Sequence, residues 1–173
     1  VISETRFARS YSSLWRELTP TLELFVRKAN LRLVERFWVP LESQLAPNRR
    51  ASINQVAFAA LKSAFDTSES LTDRLSWLDV DSNIQEVELN LFGIKSFDDD
   101  DTSETKVLAN RMCLNLMRHQ PAKVKLEPRF SGCGIINRCY GDAVSEQLRF
   151  IELKDGDRPF RSYEFRQLVI YAA

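Results

Sequence analysis

Apolar side chains in the first 120 residues recur at three- and four-residue spacings, which is typical of helices that bury one face. This pattern predicts helices over Tyr11–Leu18 and Leu22–Trp38, and a shorter one over Ser52–Phe65. Pro40 should end or kink the second helix, because proline breaks the hydrogen-bond ladder of a helix interior. Residues 46–50 are polar and carry a proline, so they are predicted to form a loop.

The stretch before residue 120 holds one strand candidate and one further helix. Val87–Ile94 alternates apolar and polar residues, which is the period of a strand. The acidic run Asp98–Asp101 could bind a metal ion, but such runs are more often solvated loops or helix starts, where negative charge complements the helix dipole. Asp101 and Glu104 have the spacing of a capping box. A helix over Ser103–His119 is expected to follow.

The pattern changes after Pro121, where alternation with a period of two predominates. A final helix over Tyr163–Ala173 is expected, with Ser162 as its cap. The predicted class is α+β, with a helix, a three-stranded antiparallel meander and a helix in the second half. Strands or β-like stretches are predicted at Val124–Phe130, Ile135–Asn137, Tyr140–Val144 and Leu148–Lys154.

Composition says more about where the protein is located than about what it does. The 24 basic and 24 acidic residues balance, so the overall charge gives no sign of a nucleic-acid binder. The chain lacks both a long apolar run and a basic start followed by one, which predicts a cytoplasmic protein with no membrane partner. Cys113, Cys133, Cys139 and His119 could bind zinc only with unusual spacing, so buried apolar cysteines are the simpler interpretation.

The strongest indication of a catalytic site comes from Asp142 and Glu152. They lie symmetrically about Gln147, so a hairpin with its tip there would place them opposite each other on adjacent strands. Two facing carboxylates repel unless a cation lies between them, and Mg²⁺ prefers such oxygen ligands. Lys154 lies two residues beyond Glu152 and therefore on the same face of the strand. These groups suit metal-assisted hydrolysis of a phosphodiester.

Three short motifs together resemble the PD-(D/E)XK nuclease superfamily. They are Gly141-Asp142, Glu152-Leu153-Lys154 and the pair Gln167 and Tyr171. The last motif makes the chain most similar to the RecB-like branch, which carries a Gln-x-x-x-Tyr motif on the helix after the core strands. The resemblance implies that Asp142, Glu152 and the Leu153 carbonyl bind Mg²⁺ or Mn²⁺, and that Lys154 is the catalytic lysine.

The resemblance also implies accessory residues. Gln167 and Tyr171 share one helix face and would contact DNA or brace the site. Glu104 would supply a further acidic ligand from the helix before the strands, unless it serves only as a cap. Three arginines near the last helix suit phosphate binding, with surface salt bridges as an equal alternative. These arginines are Arg158, Arg161 and Arg166.

The sequence departs from the family pattern in three places. The histidine found upstream in some RecB-like members is not evident, because His119, the single histidine of the sequence, follows rather than precedes the helix residues. Gly141 replaces the proline of the named motif, and the chain ends at Ala173 where the family core normally continues through another strand and helix. The expected organisation is a helical region at 1–97 and a restriction-endonuclease-like core, incomplete at its C-terminus, at 98–173.

The predicted function is Mg²⁺-dependent endonuclease cleavage of DNA, in bacterial or phage defence. The alternative is a non-catalytic module of the same fold that binds nucleic acid or a partner in a larger assembly. In either case the helical region could bind a partner protein or self-associate. A third possibility is a regulatory or inhibitor protein in which the motifs arise by chance.

Overall fold

The computed structural model describes residues 1–31, 47–67, 97–119, 124–154 and 158–173. These residues form six helices and five short strands, which confirms the predicted α+β class. The helices are α1 (Glu4–Arg9), α2 (Ser12–Leu18), α3 (Leu22–Asn30), α4 (Pro47–Thr67), α5 (Asp99–His119) and α6 (Ser162–Ala172). The strands are β1 (Val124–Leu126), β2 (Arg129–Phe130), β3 (Cys139–Tyr140), β4 (Ala143–Ser145) and β5 (Phe150–Ile151).

The chain folds into two compact units that differ from the division expected at residue 97. Unit 1 combines Val1–Pro40 with Glu127–Ala173, and unit 2 is Leu41–Leu126. The first three helices thus belong with the C-terminal hairpins. Hydrogen bonds between segments far apart in sequence explain this grouping: Asn30 Nδ2 donates to the Phe160 carbonyl at 2.9 Å, and the Phe160 N–H donates to Asn30 Oδ1 at 2.7 Å.

Unit 2 is built on the packing of α4 against α5. Each helix buries a stripe that includes small side chains, which allow close approach of the two backbones. α4 begins at Pro47, so the loop predicted at 46–50 is wrong for residues 47–50. Proline is well tolerated at the first helical position, where its missing N–H would have no partner in the helix. The buried stripes include Ile53, Val56, Ala57, Ala60 and Leu61 on α4, and Leu108, Ala109, Met112, Cys113 and Leu116 on α5.

The acidic run forms the start of α5, which is one of the two ordinary roles expected of it. The Asp101 N–H donates to Asp98 Oδ1 at 2.8 Å, and the Asp98 N–H donates to Asp101 Oδ2 at 3.2 Å. This reciprocal pair is a capping box one turn earlier than predicted, so the expected box of Asp101 with Glu104 and the expected helix start at Ser103 are wrong. Asp101 is buried and also pairs with Arg49.

Unit 1 contains a helix that the apolar pattern did not predict. α1 has only six residues, too few for a helical period to be recognised, and Ser3 Oγ caps it by accepting from the Arg6 N–H at 3.2 Å. Both α1 and α3 pack against α6. α6 begins at Ser162, and its N-cap is Arg161. The prediction that Ser162 is the cap is therefore wrong by one residue.

The strands of unit 1 form two antiparallel pairs, β2 with β3 and β4 with β5. The strand predicted over Val124–Phe130 is interrupted because Glu127 adopts a left-handed conformation with φ of 47° and Pro128 has no N–H to donate. Ile135–Asn137 contributes isolated bridges through Ile136 rather than a strand. The strand predicted over Leu148–Lys154 shortens to Phe150–Ile151.

Several predictions lie outside the described residues. They are the strand at Val87–Ile94, the continuation of the second helix to Trp38, and the break at Pro40. Among the helices that the structure describes, none is long and apolar enough to cross a membrane.

Candidate functional site

The hairpin of β4 and β5 determines where the two candidate carboxylates lie. Its register pairs Ala143 with Ile151 and Val144 with Phe150. Extending that register by one residue places Asp142 opposite Glu152, as their symmetric spacing predicts. The turn closes through the Leu148 N–H, which donates to the Ser145 carbonyl at 2.9 Å.

Each carboxylate of this facing pair has one described hydrogen bond. Asp142 Oδ2 accepts from the Leu153 N–H at 2.6 Å, which joins the two strands just beyond the hairpin ladder. Glu152 Oε1 pairs with Lys154 Nζ, also at 2.6 Å. Glu152 Oε2 is buried and has no hydrogen-bond partner among the described residues. We call Asp142, Glu152 and Lys154 the hairpin cluster.

Burial dominates the electrostatics of the hairpin cluster. It raises the pKa of Asp142, although the Leu153 N–H and the charge of Lys154 act in the opposite direction. Burial likewise raises the pKa of Glu152; the bond from Lys154 lowers it and the charge on Asp142 raises it further. One lysine therefore does not offset the burial of two carboxylates, and the cluster would gain from more positive charge.

Tyr171 packs beside this cluster from α6. Its ring stacks on Phe130 with a centroid separation of 4.9 Å and an interplanar angle of 8°. A Cβ atom at Gly141 would lie 3.2 Å from the Phe130 ring and 3.3 Å from the Tyr171 ring. The absence of a side chain at Gly141 therefore leaves room for this stack. Burial, followed by the charge of Glu152, raises the pKa of Tyr171.

Gln167 lies one helical turn before Tyr171 and is also buried. Its Nε2 donates to Thr5 Oγ1 on α1 at 3.1 Å. Of the two roles that the sequence left open, contact with DNA or bracing, this hydrogen bond fits bracing.

Arg158 and Arg161 meet at Glu164, in the first turn of α6. Arg158 Nη2 forms a short ion pair with Glu164 Oε1, and the Arg161 N–H donates to Glu164 Oε2 at 2.9 Å. Burial alone would raise the pKa of Glu164, but these hydrogen bonds outweigh it and lower the pKa. The Arg158 side chain remains 49% exposed, so its outer surface is open to solvent.

Arg166 is held inside unit 1. Its Nη1 donates to the Ala8 carbonyl at 3.2 Å, its Nη2 contacts Glu23 Oε1 at 3.2 Å, and its guanidinium lies over the Trp15 ring at 5.6 Å. The contact with Glu23 is a salt bridge, which is the alternative to phosphate binding that the sequence left open.

The structure brings the hairpin cluster, Leu153 and Tyr171 together in unit 1. Glu104 lies on α5 in unit 2, whereas Asp142 and Glu152 lie in unit 1. Sequence reasoning missed Glu164. Glu164 lies three residues after the N-cap Arg161, but the cap predicted at Ser162 put Phe165 at that position, so the capping-box pattern gave no signal.

The hairpin cluster fits a hard divalent cation in its donor chemistry. Mg²⁺ is commonly bound by one or two carboxylates, with water and substrate oxygens completing its shell. Two facing carboxylates and the buried Oε2 of Glu152 supply that kind of set. Across the described ranges, there is no group of three or more histidine, cysteine, aspartate or glutamate side chains that could hold a metal ion. A cation here would therefore keep several water ligands.

Comparison of the chain with protein-family models, with curated proteins and with solved structures gives no match.

Proposed function

We propose that this chain is a Mg²⁺-dependent nuclease that hydrolyses DNA phosphodiester bonds at the hairpin cluster. The observation that carries the proposal is the facing of Asp142 and Glu152 across the β4–β5 hairpin, with Lys154 bound to one of the two carboxylates. Facing carboxylates that are mostly buried are costly unless a cation joins them, and a lysine alongside can orient the attacking water or offset charge on the phosphate.

Each residue of the cluster has a distinct part in this chemistry. Asp142 and Glu152 hold the cation, which when bound supplies Lewis acidity and an activated water. The Leu153 N–H fixes the orientation of Asp142 through its 2.6 Å hydrogen bond. Lys154 Nζ carries three protons and donates one to Glu152, so it can direct another to the attacking water or to a phosphate oxygen. Its side chain is 32% exposed and can reach a substrate from solvent.

Cleavage of supercoiled plasmid tests the proposal. We expect nicking in Mg²⁺ or Mn²⁺, none in chelator, and a loss of at least about 100-fold in Glu152→Gln and Lys154→Ala, because each removes a group that acts on the reacting phosphate. Glu17→Gln, an exposed change on α2, is the matched control and should cleave like the wild type. Equal cleavage by wild type and Glu152→Gln would exclude the hairpin cluster as the active site.

A non-catalytic binding module is the second candidate, and one observation favours it. Lys154 is already paired with Glu152, and a lysine held in this way could serve the structure alone. Such a module would bind DNA or a partner protein equally well in Mg²⁺ and in chelator. Gel-shift binding in chelator by both wild type and Glu152→Gln, together with absence of nicking, would support this second candidate over the nuclease.

A further inference from the structure

The paired strands β2 and β3 form a ribbon with one face packed on α6 and the other exposed. On the packed face, Phe130 stacks on Tyr171, and Cys139, its partner in the register, is 5% exposed. Successive side chains of a strand point to opposite faces, so the neighbouring pair Arg129 and Tyr140 lies on the other face. Both of these side chains are exposed, and Tyr140 is 58% exposed.

The exposed face of this ribbon is basic, although the chain as a whole has no net charge. Residues 128–141 contain two arginines, Arg129 and Arg138, and no aspartate or glutamate. Both arginines are exposed. Among the residues that the structure describes, neither forms an ion pair, whereas Arg158 and Arg166 are each paired with a glutamate. The two ribbon arginines therefore remain available to an anion from solvent.

The ribbon leads directly into the hairpin cluster. Tyr140 precedes Asp142 by two residues, which is roughly 7 Å of extended chain. The Gly141 N–H donates to the Pro128 carbonyl at 3.1 Å, and the Glu127 N–H donates to the Asp142 carbonyl at 3.0 Å. The pairing of the two segments thus continues as far as Asp142, and a ligand on the exposed Tyr140 ring would lie beside the proposed reaction centre.

The loop at the far end of the ribbon is held by the N-terminal segment. The Ile2 N–H donates to the Ile135 carbonyl, and the Asn137 N–H donates to the Ile2 carbonyl, both at 2.8 Å. Within the loop, the Ile136 N–H donates to the Cys133 carbonyl at 2.8 Å. Because these bonds fix the ribbon backbone at both ends, a ligand that binds its exposed face loses less affinity to the ordering of the protein.

We propose that Arg129, Arg138 and Tyr140 form a stacking surface that binds an unpaired nucleotide of a DNA strand next to the hairpin cluster. This inference rests on the proposed function, because it names the form of DNA, single-stranded or locally unpaired, that the same site would cut. Unpaired bases stack on exposed aromatic rings, and arginines bind the phosphates beside them. Bases inside a duplex stack on each other, so their faces are closed to the Tyr140 ring.

Fluorescence anisotropy of a labelled thymidine oligonucleotide of about 12 nucleotides, in chelator, measures binding to the stacking surface without cleavage. We expect the full chain to bind this strand at least about tenfold more tightly than a duplex of the same length. Tyr140→Leu keeps apolar bulk but removes the ring and should weaken binding roughly tenfold, whereas Tyr140→Phe should stay within about twofold of the wild type. Tyr11→Leu, at an exposed tyrosine just before α2, is the matched control and should bind like the wild type.

The salt dependence of the same binding tests the two arginines. Each arginine that contacts a phosphate contributes about 0.7 to the slope of log affinity against log salt concentration. Arg129→Gln and Arg138→Gln should therefore each weaken binding and lower the slope by about that amount. Arg16→Gln, at an exposed arginine on α2, should leave the slope unchanged.

The binding and nicking assays together separate this inference from the proposed function. If the wild type nicks plasmid but does not bind the oligonucleotide, or if Tyr140→Leu binds it as tightly as the wild type, the inference is overturned and the proposed function stands. Equal affinity for the single strand and the duplex would also overturn the inference. If binding depends on the Tyr140 ring and the wild type nicks no plasmid, the stacking surface is supported and the proposed function fails.

Discussion

Unit 1 contains two carboxylates at which burial raises the pKa and hydrogen bonds lower it, and the two differ in which effect is larger. Glu164 has a side chain 5% exposed, and both of its oxygens accept hydrogen bonds, from Arg158 and from the Arg161 N–H. Glu152 has a side chain 11% exposed, and within the described part of the chain only Oε1 has a partner. The pKa of Glu164 is lowered, whereas that of Glu152 is raised.

This difference distinguishes a carboxylate that stabilises the fold from one whose free oxygen suits it to bind a cation. When both oxygens of a buried carboxylate accept hydrogen bonds, those bonds stabilise its ionised form and the folded state together. A buried carboxylate with an unused oxygen, opposite a second carboxylate, weakens the fold unless a cation binds. The first environment ties the start of α6 to its preceding loop, and the second gives the hairpin cluster its proposed affinity for Mg²⁺.

The largest expected effect on stability comes from Glu164→Ala. This change removes two charge-assisted hydrogen bonds at the start of α6 and should lower the free energy of unfolding by about 2 kcal/mol at neutral pH. Because the folded pKa of Glu164 is lowered, its contribution is present above the pKa of the unfolded state and is lost as pH falls through the folded pKa. Urea denaturation measures the change, and a loss below about 0.5 kcal/mol would show that Glu164 is not a structural anchor.

A smaller effect of opposite sign is expected at Glu152. Its raised folded pKa means that the folded state binds more protons than the unfolded state above the unfolded pKa of about 4.3. The wild type should therefore lose stability as pH rises from that value through the folded pKa. Glu152→Gln does not titrate, so it should be more stable than the wild type at neutral pH without added metal.

Denaturation curves recorded at several pH values, in chelator, measure this effect. Glu17→Gln serves as the control for removing a carboxylate from an exposed position. If the stability of the wild type and of Glu152→Gln changed with pH in parallel, folding would not raise the pKa of Glu152.

The smallest expected effect concerns the packing of Tyr171 beside the cluster. Gly141→Ala places a methyl group 3.2 Å from Phe130 and 3.3 Å from Tyr171, so the stacked rings must shift, at a cost of about 1 kcal/mol. Phe130→Leu gives that methyl group room. The double variant should therefore be more stable than the sum of the single changes predicts, by thermal unfolding, and simple additivity would contradict close packing at Gly141.

The hairpin and its facing carboxylates could be predicted because they depend on local spacing. Asp142 and Glu152 lie symmetrically about the turn, and the register follows from that symmetry. The place of α1 could not be predicted in the same way. Its six residues are too few to show a helical period, and the bond from Gln167 to Thr5 joins residues 162 positions apart. The two-unit division escaped sequence reasoning for the same reason.

The effect of Mn²⁺ on thermal unfolding tests the central claim, that the hairpin cluster is a cation site, most directly. A ligand that binds only the folded state stabilises it, by about 2.7 kcal/mol when its concentration is 100 times the dissociation constant. We predict that Mn²⁺ at neutral pH raises the Tm of the wild type and leaves that of the double variant Asp142→Asn, Glu152→Gln nearly unchanged. An equal rise in both proteins, or no rise in the wild type, would contradict the claim.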